Sequence, residues 1–269
     1  MAVERLSIEL TNQCAKACWF CYSASTPSGQ TRWKASEVVS FVTSCAAHGL
    51  KAVSFGGGEP LEYPGVFEVL DGLRGILFRS LTTNGLLLDG TVLDRLVLAA
   101  PDKVHVSIHF PADLPRVTRQ VHRLAALGIR SGVNLLVARS QLEVMERVAA
   151  DLRASGIEND RIVYLPMRME DTPTPDEMGR VAGSLRFQSM SCLAACGKSP
   201  RFASIGWDKT VAWCSYTKTR RALATSTYDG LMAALDGLGL DFCGGTDDGR
   251  LLRLSRRSLD GHGLVRRRQ

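Results

Sequence analysis

The chain has 269 residues, 45% hydrophobic and 22% charged, which is enough to bury a sizeable core and excludes a disordered chain. No run resembles a signal peptide or a membrane span, so we expect a folded, water-soluble, cytoplasmic protein without a membrane partner. The net charge of +6 comes from residues 250–269, which hold seven arginines against one acid. The rest is neutral, which makes nucleic acid an unexpected partner.

Apolar, β-branched runs alternate with segments of helical period, the pattern of strand–helix units around a parallel sheet. Six strands are predicted, at residues 4–10, 51–55, 76–82, 103–109, 130–138 and 161–165. Five helices are predicted between them, at residues 35–48, 64–74, 89–99, 114–127 and 141–155. Because right-handed crossovers curl such a sheet into a barrel, the predicted fold is α/β, a partial (β/α)6 TIM-type barrel over residues 1–170.

The loop after the first predicted strand carries three cysteines within eight residues, Cys14, Cys18 and Cys21. Loops at the carboxyl ends of the strands form the active sites of such barrels. Three thiolates leave one iron of a four-iron cubane without a protein ligand, and a small chelating ligand could bind there. A structural zinc site, with Cys45 as a fourth ligand, and three unrelated core cysteines are the alternatives. Cys45 itself lies in an apolar helical run and is predicted to be core.

A glycine-rich segment follows the second predicted strand: Gly56, Gly57, Gly58, Glu59 and Pro60. Glycines let a backbone approach a ligand closely and expose its amides, although a tight turn ended by proline has the same composition. Together with the three cysteines and the aromatic Phe20, this segment resembles the radical S-adenosylmethionine (SAM) superfamily over about residues 4–168. The pairing of the two motifs is far more specific than either alone.

The resemblance implies that Cys14, Cys18 and Cys21 hold a 4Fe-4S cluster, and that the methionyl group of SAM binds its open iron beside residues 56–60. Glu59 would accept a hydrogen bond from the ammonium group. More loosely, it implies SAM contacts, ranked highest for Ser107 and Asn134, at Phe20, Thr83, Asn84, Ser107, Asn134 and Leu165. A Ser or Asn at a strand end also commonly satisfies only local backbone groups.

The implied chemistry is reductive cleavage of SAM to a 5'-deoxyadenosyl radical, which abstracts a hydrogen atom from the substrate. The electron would come from a flavodoxin- or ferredoxin-type donor.

Beyond residue 170 the strand–helix pattern breaks, and residues 171–249 are predicted to form a smaller module. Its four cysteines are Cys192, Cys196, Cys214 and Cys243. Their grouping resembles, in part, the SPASM and twitch modules, which implies a second, auxiliary 4Fe-4S cluster. Alternatively, Cys243 is a hydrogen-atom donor and the other three hold the cluster. Residues 250–269 are a basic tail to which we assign no function.

Three functions remain open at this point. In the first, a closed auxiliary cluster would accept the second electron from the substrate radical, which makes the reaction a dehydrogenation of a small polar substrate. Arg168 would anchor that substrate. If Cys243 instead donates a hydrogen atom to the radical, the reaction is an epimerisation. The second function is a maturase that cross-links or epimerises a ribosomally synthesised peptide. The third is an iron-sulfur electron carrier or regulator, for which residues 56–60 would have no use.

Overall fold

Six parallel strands form the centre of this computed structural model, which describes residues 3–189 and 199–240. They run side by side in chain order: β1 Arg5–Thr11, β2 Ala52–Gly57, β3 Phe78–Thr83, β4 Lys103–Ile108, β5 Ser131–Val137 and β6 Ile162–Pro166. Each pairs in parallel with the next, so all six carboxyl ends lie along one edge of the sheet. The six predicted strands and the α/β partial-barrel fold are confirmed.

The five predicted helices are also present, one in each crossover. They are α1 Ala35–Ala46, α2 Val66–Gly72, α3 Gly90–Ala99, α4 Leu114–Ala126 and α5 Leu142–Ala154. In α1 the buried side chains Val38, Phe41, Val42 and Cys45 recur at helical spacing and form one apolar stripe. Cys45 is 1% exposed within the hydrophobic core, as predicted.

The sheet continues beyond both ends of the six-strand centre, an extension that the sequence pattern does not predict. The added elements are α6 Pro175–Val181, β7 Gln188–Ser189, β8 Phe202–Ile205, β9 Thr210–Ala212, β10 Arg221–Ala222 and α7 Tyr228–Leu235. β7 pairs with β6, and β8 pairs in parallel with β1. Strands β8, β9 and β10 therefore extend the same sheet on the side of β1.

The two faces of the central strands differ in chemistry. On β1, Leu6, Ile8 and Leu10 belong to the hydrophobic core shared with the helices, whereas the alternating residues Glu9 and Thr11 are buried polar groups on the other face. A buried polar face is expected where a barrel encloses a ligand site rather than a packed core. Among the helices described, none is long and apolar enough to cross a bilayer.

Candidate active site

The cysteine loop and the glycine-rich segment lie against each other at the carboxyl ends of β1 and β2. The Gly58 N–H donates to the Thr11 carbonyl at 2.6 Å, and the Glu59 N–H donates to the Gln13 carbonyl at 2.8 Å. On the other side, the Ala15 N–H donates to the Glu62 carboxylate at 2.9 Å. The two motifs that are about 35 residues apart in sequence therefore form one structural unit.

The three glycines of this unit have different roles. A Cβ on Gly57 would lie 2.3 Å from the Thr11 carbonyl oxygen, and its φ of +119° favours glycine. A Cβ on Gly58 would lie 2.1 Å from the Gln13 carbonyl oxygen. Gly57 and Gly58 are thus required by the close approach of the cysteine loop itself. A Cβ on Gly56 would meet nothing within 4 Å, so the open space lies at Gly56.

Glu59 joins this unit to the loop after β3. Its side chain is 1% exposed and accepts hydrogen bonds from the Leu61 N–H at 3.1 Å, the Thr83 hydroxyl at 2.7 Å and the Asn84 N–H at 2.7 Å. Burial raises the pKa of Glu59 to about 7, although these hydrogen bonds favour the carboxylate. Pro60 is buried directly after it, at the start of a single helical turn.

The three loop thiols are free and differ in exposure: Cys14 is buried, and Cys18 and Cys21 are half-buried. The Asn84 Nδ2 group donates to Cys14 Sγ at 3.6 Å. Burial raises the pKa of Cys14, and raises that of Cys18 to about 11, with Cys21 and Cys14 adding to the effect on Cys18.

These residues fit a cubane cluster better than a single ion. Within residues 3–189 and 199–240, no three His, Cys, Asp or Glu side chains converge to hold one metal ion. The ligands of a cubane bind separate irons and do not need to converge on one point. Soft thiolates suit iron-sulfur chemistry, and Cys45, the candidate fourth zinc ligand, belongs to the core under α1.

Ser107 and Asn134 are neighbours on β4 and β5, in register with each other, and each is 4% exposed. The Asn134 Oδ1 atom is buried and has no hydrogen-bond partner among the described residues. Because buried polar atoms in native proteins are almost always paired, this acceptor is available for a hydrogen bond from a ligand on this face. Leu165 of β6 is half-buried, in register with Leu136 of β5.

A charged network that sequence reasoning missed holds the cysteine loop to its neighbours. Lys16 Nζ lies 2.8 Å from the Asp113 carboxylate, which also accepts from Arg116 Nη2 at 2.9 Å. Arg116 Nη1 donates to the Asn84 carbonyl at 3.0 Å. Burial would raise the pKa of Asp113, but Lys16 and Arg116 outweigh it and lower that pKa to about 2. The loops after β1, β3 and β4 are therefore linked by ionised groups.

Aromatic contacts add to this link. The ring of Phe20 meets His109 edge-on at 5.6 Å and Phe110 at 5.8 Å between centroids. His109 directly follows β4, and its Nδ1 atom lies 3.6 Å from Cys18 Sγ. Phe20 thus packs the cysteine loop onto the loop after β4.

A sequence profile described as the radical SAM superfamily matches residues 8–173, more than half of the chain. The chain belongs to the radical SAM superfamily. The matched segment begins within β1 and ends beyond β6, so it includes strands β2 to β6 in full and both motifs.

Among curated radical SAM relatives, the GTP 3',8-cyclase of Chlorobaculum tepidum is 29% identical over 163 residues, which are 60% of this chain and 48% of the relative. The chain spans about half the length of that relative. Among solved radical SAM structures, Streptococcus suis SuiB bound to S-adenosylmethionine superposes with a TM-score of 0.70 at 14% identity, covering 88% of this chain and 67% of SuiB. The structure of anSMEcpe with AdoMet and the Cp18Cys peptide superposes with a TM-score of 0.63 at 14% identity, covering 85% and 80%. At such identities the superpositions show a shared fold.

Residues from the loops after β6 and β9 lie near the cysteine loop. The Arg168 guanidinium lies over the Tyr216 ring at 4.4 Å, and Tyr216 contacts Tyr22 at 5.0 Å between centroids. In the described ranges, the buried Arg168 Nε atom has no hydrogen-bond partner. Cys214 is half-buried and accepts from the Tyr216 N–H at 3.5 Å. The other cysteines of the predicted module, Cys192, Cys196 and Cys243, lie outside the described residues.

Proposed function

We propose that Cys14, Cys18 and Cys21 hold a 4Fe-4S cluster, that SAM binds beside Gly56, and that the enzyme abstracts a hydrogen atom from its substrate. The observation that carries the proposal is the direct packing of the cysteine loop on residues 56–60 with open space at Gly56. When bound, the cluster and SAM together supply a carbon-centred radical. An electron carrier would have no use for this ligand space.

The protein's own groups would orient SAM and hold the loops around it. Gly57 and Gly58 bring the cysteine loop close to β2, and Glu59 fixes the loop after β3. Asn134 offers an unpaired acceptor on the polar face of the sheet, and Ser107 lies beside it. These positions support SAM contacts from β2, β4 and β5, in agreement with what the motifs imply.

For the reaction we propose oxidation by dehydrogenation, or epimerisation, of a small polar biosynthetic substrate. The unpaired Nε of Arg168, near Tyr216 and Tyr22, supports a role for Arg168 in anchoring a polar or anionic group. Residues 171–249 would supply the auxiliary cluster through Cys192, Cys196, Cys214 and Cys243, or Cys243 would return a hydrogen atom. The small-molecule substrate in the name of the curated relative supports this choice.

The second candidate function is maturation of a ribosomally synthesised peptide. Structures of SuiB bound to precursor peptide SuiA and of anSMEcpe with a peptide favour it, because both share this fold. In either case we propose a flavodoxin- or ferredoxin-type electron donor.

The test is anaerobic reconstitution followed by iron analysis and incubation with SAM and a reductant. We expect about eight irons per chain, or about four if residues 171–249 hold no cluster, and formation of 5'-deoxyadenosine. Cys18→Ala should lose about four irons and the activity, whereas the matched core variant Cys45→Ala should keep both. Zinc or no iron at the loop thiols would refute the proposal.

The substrate reactions differ in their isotope outcomes. In deuterated water, epimerisation leaves solvent deuterium on the substrate carbon, while dehydrogenation yields a product oxidised by two electrons. A cross-linked peptide would instead establish the maturase function.

A further inference from the structure

Each of the three loop thiols has a polar side chain as a neighbour, and Cys14 also accepts from the backbone amides of Lys16 and Ala17. Asn84 Nδ2 lies 3.6 Å from Cys14 Sγ, and Ser23 Oγ lies 3.4 Å from Cys21 Sγ. The neighbour of Cys18 is His109, with Nδ1 at 3.6 Å. Ser23 belongs to the cysteine loop itself, but His109 comes from the end of β4, 91 residues away.

The position of the His109 ring is determined by the fold on two sides. Its backbone N–H donates to the Asp113 carboxylate at 3.2 Å, directly before α4. Its ring meets the Phe20 ring edge-on at 5.6 Å, and Phe20 is the residue before Cys21. The imidazole is thus held between the β4 loop and the cysteine loop, with Nδ1 directed at Cys18 Sγ.

An imidazole carries at least one N–H, and a metal-bound thiolate accepts hydrogen bonds but cannot donate them. When Cys18 binds iron, the favourable arrangement places the proton on His109 Nδ1 and directs it at the sulfur. Hydrogen bonds to cluster sulfurs stabilise the added negative charge of the reduced cluster, and thereby raise its reduction potential.

We propose that His109 is a positioning residue whose Nδ1–H donates to Cys18 Sγ and raises the reduction potential of the cluster. This inference rests on the proposed function, since it requires the cluster at Cys14, Cys18 and Cys21. The residue's purpose would be to make the cluster reducible by the electron donor. The superfamily motifs give no role to His109, and the fold alone brings it to Cys18.

The test is a potentiometric titration of the anaerobically reconstituted full chain without substrate. Electron paramagnetic resonance measures the fraction of reduced cluster at each potential. His109→Phe keeps a ring against Phe20 but has no N–H, whereas His109→Asn keeps a donor near Nδ1. At a fixed potential, His109→Phe should lower the ratio of reduced to oxidised cluster by up to about tenfold, and tenfold corresponds to about 59 mV for one electron. His109→Asn should stay close to wild type, and the exposed control His122→Phe should be unchanged.

Wild-type protein labelled with ¹⁵N-histidine provides a second measurement. It does not require a variant that still binds the cluster. Pulsed electron paramagnetic resonance should show coupling between the electron spin of the reduced cluster and a histidine ¹⁵N nucleus. A His109→Phe potential equal to wild type, or the absence of that coupling, would overturn the role of His109 alone. No cluster signal in the wild type would instead refute the proposed function, and the role of His109 with it.

Discussion

Replacing Glu59 by glutamine tests how the buried carboxyl group connects the glycine-rich segment to the β3 loop. The wild-type carboxyl accepts from the Leu61 N–H, the Thr83 hydroxyl and the Asn84 N–H. A glutamine offers only one oxygen, so one backbone N–H would face an NH2 group. Leaving a buried donor unpaired costs about 1–3 kcal/mol, and the variant has this cost at every pH because its amide does not titrate.

The pH dependence comes from the charge, because burial raises the pKa of Glu59 from 4.5 to about 7. A raised folded-state pKa means that the folded protein binds the proton more tightly than the unfolded chain. The associated stability is complete below pH 4.5 and is lost as the pH rises through about 7. Between pH 5.5 and 8, wild type should lose ~2 kcal/mol from this group, and Glu59→Gln should not.

The assay is the thermal midpoint of unfolding of the cluster-loaded protein, measured by tryptophan fluorescence at each pH in that range. The midpoint of Glu59→Gln relative to wild type should increase with pH by about 4 °C or more. The matched control is Glu68→Gln on the exposed face of α2, which should follow wild type at each pH. Parallel curves for Glu59→Gln and wild type would refute the assignment of a buried, proton-binding carboxyl group.

Three further predictions follow from the geometry of the site. Gly56→Ala should keep the thermal midpoint but weaken SAM binding in equilibrium dialysis. Gly58→Ala should lower the free energy of unfolding by about 1–3 kcal/mol, because the added Cβ overlaps a backbone carbonyl. Equal midpoints for the two variants would contradict this difference. Asn134→Ala should change the unfolding free energy by less than about 1 kcal/mol while weakening SAM binding, and a large destabilisation would mean that Oδ1 has a protein partner. Asp113→Asn should lower the free energy of unfolding by ~2 kcal/mol at pH 7, measured by thermal unfolding. The reason is that the carboxylate paired with Lys16 contributes stability above pH 3.8, which is lost only as the pH falls through about 2. An unchanged thermal midpoint would refute the pairing.

The elements that sequence predicts best are those with a local signal. The spacing of Val38, Phe41, Val42 and Cys45 alone identifies the buried stripe of α1. The short strands β7 to β10 were missed because two to four residues carry too little periodicity. β8 is a strand because β1 offers it a parallel partner, and that contact joins residues almost 200 positions apart, as in Leu6 with Ala203.

By itself, the sequence determined the six strands, the five helices between them and the two motifs that identify the superfamily, because each depends on neighbouring residues and on hydrophobic period. Only the tertiary structure decided that Glu59 binds the β3 loop, that Lys16 pairs with Asp113, and that His109 reaches Cys18. These groups meet because parallel pairing brings the carboxyl ends of β1 to β4 to one edge of the sheet. Single-residue polar contacts across such distances leave no periodic pattern in a sequence, so they become visible only when the strands are in register.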